Sequence, residues 1–311
     1  MIELQPHLDL TAQQAERILE RWLGRPVACT GVQRLKGGMV NTVLRLDFDA
    51  PPHRAVVKLH GRAGHGFAAE ARALRYLRAE TSCPVPQVFL EDDSAALVPH
   101  AVLLLEHLPG RCLDGLDREP ADRIELEHQL ARVLAELHEH RGTHWGAVDA
   151  ADGPATWAEL FTSRLAEARA HDGVRQRLEP AVLSLVDDAI STAPSWLKDA
   201  GVPTLVHGDV WDGNLMVRTD GDGWRLSGLL DPDLQFADSE YELAYLEVFD
   251  HSRAELFAAY RRRHAPRPGY EQRRLFYWLY TALVHVGLFG DAFFREFTAR
   301  TAASIARLES A

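Results

Sequence analysis

The sequence predicts an α/β protein of the α+β type, built as two lobes: a small antiparallel-sheet N-terminal lobe and a larger, mostly helical C-terminal lobe. Three observations lead there. The chain has 311 residues, 46% of them hydrophobic, which suffices for a large core and suggests two lobes at ~150 residues per domain. Its first third alternates short strand-like runs with one good helix, whereas the rest is helical around a strand-rich island near 204–230. Between them, Leu108-Pro109-Gly110 is the strongest break, because Pro and Gly stop a strand just before the composition turns helical. The expected lobes are therefore 1–108 and 109–311.

Thr11 to Leu23 has helical periodicity, with Thr11 placed to cap the start and Gly24 to stop the end. Val27–Leu35, Thr42–Phe48 and Ala55–His60 follow as strands. In the second, Thr42, Leu44, Leu46 and Phe48 alternate with Val43, Arg45 and Asp47, the period of a half-buried strand. Gly66–Glu80 gathers Phe67, Ala71, Leu74 and Leu77 on one helical face and ends before Pro84 and Pro86. Strands are expected again at Gln87–Glu91 and His100–Glu106. Beyond the break, helices are expected at 120–141, 155–171, 180–198, 239–263 and 270–308, the last two with interruptions.

A net charge of −11 argues against a nucleic-acid partner, since a phosphate backbone is repelled unless basic residues gather on one face. The one dense basic run, Arg261-Arg262-Arg263-His264, reads as a helix end. Cys29, Cys83 and Cys112 are widely spaced and form no CxxC pair, which fits a reducing cytoplasm and neither disulfides nor a thiolate zinc site. The segment from Met1 to Gln14 lacks the basic-then-apolar order of a secretory signal. Leu275 to Phe289, the most apolar stretch, falls short of the ~20 residues of a membrane span and reads as a buried helix.

The strongest chemical signal is a polar loop, His207-Gly208-Asp209-Val210-Trp211-Asp212-Gly213-Asn214, between the apolar flanks Leu205-Val206 and Leu215-Met216-Val217, followed by Leu229-Leu230-Asp231-Pro232-Asp233. Phosphoryl transfer needs a carboxylate that orients the attacking hydroxyl and accepts its proton, and oxygen ligands that fix Mg2+ against the nucleotide phosphates. Asp209 supplies the first, Asn214 and Asp231 the second. Asp and Asn beside Gly are also ordinary turn formers; the ordered set between apolar strands outweighs that reading.

The step of five from Asp209 to Asn214 matches the catalytic-loop spacing of kinases, with Asp231 in the place of their second metal carboxylate. The loop resembles that of the aminoglycoside phosphotransferase-like kinases, in which His-Gly-Asp stands where protein kinases have His-Arg-Asp. That resemblance implies a bilobal protein-kinase-like fold, Mg2+ and ATP (GTP not being excluded) as cofactors, and phosphorylation of a hydroxyl on a small molecule.

The resemblance requires further parts in the N-terminal third. Gly37 and Gly38, within Lys36-Gly37-Gly38-Met39-Val40-Asn41, lie between two strands where backbone can approach phosphates, although a Gly-Gly pair also makes an ordinary hairpin. Lys58 on the next strand resembles the phosphate-pairing lysine of the family. Glu70 on the following helix would hold it. Leu103 to Gly110 resembles the hinge, where backbone groups of Glu106 and Leu108 would bond the base. His207 is expected to order the catalytic loop by hydrogen bonds. His138, His140 and His144 cluster at a helix end with spacing that disfavours zinc. The absence of GxSxG and GxxxxGKS/T disfavours hydrolase and P-loop chemistry.

Within the superfamily, Gly37-Gly38-Met39-Val40-Asn41, the His207–Asn214 loop, Thr156-Trp157-Ala158-Glu159-Leu160-Phe161 with Arg164-Leu165, and Glu240 to Phe249 are similar to motifs of the fructosamine or ketosamine kinase branch. Ala237-Asp238 stands where that branch has Gly-Asp, and Glu242 where it has Asp. At least two of Asp238, Glu240 and Glu242 read as a helix N-terminal cluster favoured by the macrodipole. Asp212, Asp233, Asp238, Glu240, Glu247 and Asp250 would surround the acceptor side and favour a cationic ketoamine or amino-sugar; a solvated acidic face explains the same residues. An antibiotic-resistance phosphotransferase is the alternative within the superfamily. A silent kinase-like binding module would be expected to lose Lys58, Asp209 or Asp231, and all three are present.

Overall fold

The structure, a computed structural model, describes residues 8–35, 41–61, 66–116, 119–150, 152–221, 223–249 and 253–308. Gly37 and Gly38 lie outside these residues. In chain order the elements are α1 (Ala12–Leu23), β1 (Cys29–Arg34), β2 (Thr42–Phe48), β3 (Arg54–His60), α2 (Ala68–Glu80), β4 (Val88–Asp92), β5 (Ala101–Glu106), β6 (Arg111–Cys112), α3 (Pro120–Leu137), β7 (Gly146–Ala147), α4 (Trp157–Ala170), α5 (Asp172–Arg177) and α6 (Pro180–Leu197). There follow β8 (Thr204–Val206), a 3-10 turn (Asp212–Asn214), β9 (Leu215–Thr219), β10 (Trp224–Leu229), β11 (Gln235–Ala237), α7 (Ser239–Phe249), α8 (Ala254–Arg261), α9 (Tyr270–Leu288) and α10 (Ala292–Leu308).

Two compact units emerge, Met1–Arg118 with Asp212–Pro232, and Glu119–Trp211 with Asp233–Ala311. The first differs from the expected 1–108 lobe by taking in residues 109–118 and 212–232. Backbone pairing is the cause: β6 pairs antiparallel with β9, and the Leu113 N–H donates to Leu215 O at 2.8 Å.

The sheet of the first unit is antiparallel throughout, in the order β1-β2-β3-β5-β4. Strand β2 buries Thr42, Leu44, Leu46 and Phe48 and leaves the intervening residues half-buried, as its alternation predicts. Helix α1 starts with a reciprocal capping box between Thr11 and Gln14 and stops at Gly24, whose φ of 68° lies in the left-handed region. Ala15, Ile18 and Leu19 of α1 join Leu44, Leu46, Val57 and Leu59 in one core. A second sheet, β10-β9-β6, completes this unit.

The second unit is helical around the short sheet β7-β11-β8. Its core gathers Trp157 and Phe161 of α4, Val186 of α6, Tyr241 of α7 and Phe276, Tyr277 and Leu283 of α9. Full burial of such side chains contributes about 1.5–3 kcal/mol each. The expected helix 239–263 divides into α7 and α8, and 270–308 into α9 and α10 at Gly290, whose φ is 71°. Among the described residues no helix is long and apolar enough to cross a membrane.

Candidate functional site

In the first unit, Lys58 sits on the central strand β3, opposite Val43 of β2 and Leu103 of β5, and is only 4% exposed. Its Nζ donates to both Glu70 oxygens, at 2.8 and 3.0 Å, and to Asp231 Oδ1 at 2.7 Å. Glu70 occupies the first turn of α2, where the helix dipole favours a carboxylate, and Leu74 and Leu77, one and two turns on along the same face, are buried together with Ala71. Burial alone would pull the Lys58 ammonium down; the Asp231 and Glu70 carboxylates outweigh it and hold the group above its ordinary value. Burial, reinforced by Asp231, pushes Glu70 up against the pull of Lys58.

Asp231 follows β10 with φ 54°, a left-handed conformation that Asp tolerates better than most residues. The β9–β10 hairpin places it: Leu215 pairs with Leu229, and the Leu230 N–H donates to Asn214 O at 2.9 Å. Asn214, 6% exposed, ends the 3-10 turn that leads into β9. Asp231 keeps 47% of its side chain exposed. Among the described residues no group of three or more His, Cys, Asp or Glu could hold a metal ion. A carboxylate and an amide oxygen are instead a donor set that fits Mg2+, which binds through one or two carboxylates and takes other ligands from phosphates and water. Toward the expected hinge, the Glu106 N–H already donates to Gln87 O at 2.8 Å. The Leu108 side chain lies against Gly228, where an added Cβ would come within 2.3 Å of it.

In the second unit, β8 leads into the His207-Gly208-Asp209 turn. Gly208 has φ 86°, and a Cβ there would meet Asp233 O at 2.3 Å, so close approach as well as backbone sign demands glycine. Its N–H donates to Glu242 Oε1 at 2.6 Å. The other Glu242 oxygen lies 2.7 Å from His138 Nε2, and His138 Nδ1 lies 2.6 Å from the Tyr260 hydroxyl. Each ring nitrogen of His138 thus has one oxygen partner, Nε2 the Glu242 carboxylate and Nδ1 the Tyr260 hydroxyl. Burial opposes ionisation of Glu242, but His138, His207 and the Gly208 N–H together hold it below its ordinary value. The Asp209 N–H donates to His207 Nδ1 at 3.3 Å, the loop-ordering role expected of that histidine. Asp209 Oδ1 accepts from the Tyr245 hydroxyl at 2.5 Å.

Tyr245 is the residue that sequence reasoning missed, since a tyrosine inside a helical pattern carries no mark of its partner. Asp238 and Glu240 stand at the start of α7, as expected of a helix N-terminal cluster, with the Glu240 N–H donating to Asp238 Oδ1 at 3.0 Å, but they do not form a solvated face. Both are buried: Arg267 pairs with each, Arg273 reaches Glu240 at 2.7 Å, and Tyr277 donates to Asp238 at 2.7 Å. Glu247 faces Arg274 at 3.4 Å. These acids are committed to internal cations, so they lend no charge to an acceptor; Asp250 lies outside the described residues.

The model of the fructosamine kinase family matches residues 11–306. A Staphylococcus aureus protein provisionally named a ketoamine kinase is 33% identical over 275 residues, covering 84% of this chain and 88% of that protein. In fold, the chain is similar to the crystal structure of a Haemophilus somnus protein provisionally named a fructosamine-3-kinase, with TM-score 0.73, 19% identity and coverage of 94% and 96% of the two chains. It is also similar to a thermostable mutant of aminoglycoside phosphotransferase APH(4)-Ia, solved with ADP and hygromycin B, with TM-score 0.67, 18% identity and coverage of 94% and 98%.

Proposed function

The chain belongs to the fructosamine kinase family, and from that premise we propose that it transfers the γ-phosphoryl group of ATP to a hydroxyl of a ketoamine, an amino-deoxyketose. It is a small-molecule kinase with a kinase-like fold. The observation that supports the reading most is the Lys58 contact with both Glu70 and Asp231, which draws three separated sequence signals into one cluster.

In this reading Lys58, kept charged and held by Glu70, steadies the nucleotide phosphates. Backbone groups of Glu106 and Leu108 take the base. Asn214 and Asp231 would hold Mg2+, which when bound neutralises charge on the phosphate oxygens. Asp209 orients the acceptor hydroxyl in line and accepts its proton as the new O–P bond forms and the bond to the ADP oxygen breaks. An acceptor cation is favoured by its own amine chemistry and by Asp209 and Asp233, rather than by the buried acids. Cys29, Cys83 and Cys112 form no disulfide, which supports a cytoplasmic setting.

The test is consumption of ATP and of GTP against fructosamine-lysine, ribulosamine-lysine, an aminoglycoside, an uncharged polyol and an anionic sugar. Turnover is expected with the ketoamines and ATP. Preference for an anionic acceptor, or for the aminoglycoside over both ketoamines, would overturn the reading.

A further inference from the structure

Helix α7 holds the Asp209 loop at two points. Glu242 and Tyr245 are three positions apart and so share one helix face. Glu242 fastens the Gly208 amide, and Tyr245 donates its O–H to the Asp209 carboxylate. The Tyr245 ring is itself fixed. It lies 4.8 Å from Phe249 one turn on, and the Phe249 ring is 5.3 Å from His285 and 6.2 Å from Phe294. A hydrogen bond from a neutral donor to a carboxylate is charge-assisted and directional, so it sets the plane in which the carboxylate stands.

We propose that Tyr245 is a positioning residue for acceptor phosphorylation, its phenol holding the Asp209 carboxylate in the orientation that meets the acceptor hydroxyl. The inference rests on the reading of Asp209 given above. Burial, and then the Asp209 charge, push the phenol far above its ordinary value, so Tyr245 remains an O–H donor across any working pH. The hydroxyl proton of the acceptor passes to Asp209, and Tyr245 keeps its own. Other titratable groups bearing on this pair include Tyr241 and Asp233 in the field of Tyr245, His207 at the Asp209 amide, and Glu242, which accepts from the Gly208 N–H and pairs with His138.

Tyr245→Phe removes the donor and keeps the ring against Phe249. Steady-state kinetics with a ketoamine and ATP should show kcat lowered about tenfold with KM for ATP unchanged. The acidic limb of the kcat/KM profile should move to higher pH by about half a unit or more, because the ionised carboxylate has lost a donor. ATP affinity and thermal midpoint, measured on the same preparation, report that the variant is folded. The fully ring-deleted Tyr245→Leu should lower kcat at least as far. An active wild type whose Tyr245→Phe variant keeps both kcat and the profile overturns this inference alone. So does a loss of kcat with an unmoved profile, which marks a merely structural role. A wild type that phosphorylates no acceptor overturns the reading of Asp209 and this inference with it.

Discussion

Lys58 Nζ lies 2.7 Å from Asp231 Oδ1 although 173 positions separate the two residues. One end of this contact is buried on a central strand and the other is half exposed at the end of a hairpin. The ammonium is thus fixed by Glu70 from behind, while Asp231 stays able to exchange its partner for a ligand from solution. An isolated buried lysine would tend to lose its proton. Two carboxylates keep this one charged.

Lys58→Met should lower kcat/KM for ATP by about 10²–10³, the scale for loss of one preorganised cationic donor. It should also destabilise the protein by about 3 kcal/mol, the lower end of the range for breaking a buried pair, since Asp231 can relax into water. Steady-state kinetics and urea unfolding check the two effects separately.

Asp231→Asn isolates the carboxylate from its backbone. Asn tolerates the left-handed φ of 54° about as well as Asp, whereas Ala adds strain of about 1–2 kcal/mol. Titrating ATP with and without Mg2+ should show the tightening by Mg2+ in the wild type and its loss, about tenfold or more, in Asp231→Asn. Undiminished Mg2+ dependence in the variant would remove Asp231 from the metal site.

Glu242 gives a pH dependence of stability. Its folded-state value is lowered from the ordinary 4.5, so the stability it contributes is fully present above that value and is lost as pH falls through the lowered one. The difference in thermal midpoint between wild type and Glu242→Gln should therefore shrink as pH falls below about 4.5. A gap that widens below that pH would contradict the ionised assignment.

Gly208→Ala combines a positive φ with a Cβ 2.3 Å from Asp233 O. The variant should lose at least about 2 kcal/mol of stability. Because the neighbouring Asp209 would be displaced, kcat should fall on the order of 10²-fold. Chemical denaturation and kinetics on the soluble fraction test both.

Much of this was legible where the signal is local. The alternation in Thr42–Phe48 gave the buried face of β2, and Thr11 with Gly24 bounded α1 to the residue, because caps and pleats depend on near neighbours. Asp209, Asn214 and Asp231 are proposed from the sequence because phosphoryl-transfer chemistry constrains residue types and spacing. The unit boundary was not. Grouping of 212–232 with the first unit depends on a two-residue strand, Arg111–Cys112, pairing with β9, and such a strand is too short to show a period. Burial of Asp238 and Glu240 was equally hidden, since it requires Arg267 and Arg273 from a later segment. Tyr245 bonds across 36 positions, and helical periodicity assigns it only a face.

The central claim is that Asp209 directs phosphoryl transfer from ATP to a ketoamine hydroxyl. The most direct measurement is phosphate incorporation into fructosamine-lysine by wild type and by Asp209→Ala, with ATP affinity measured on each protein. The account predicts a phosphorylated ketoamine from the wild type, none from the variant, and ATP affinities within about threefold of each other. Undiminished incorporation by Asp209→Ala would contradict it.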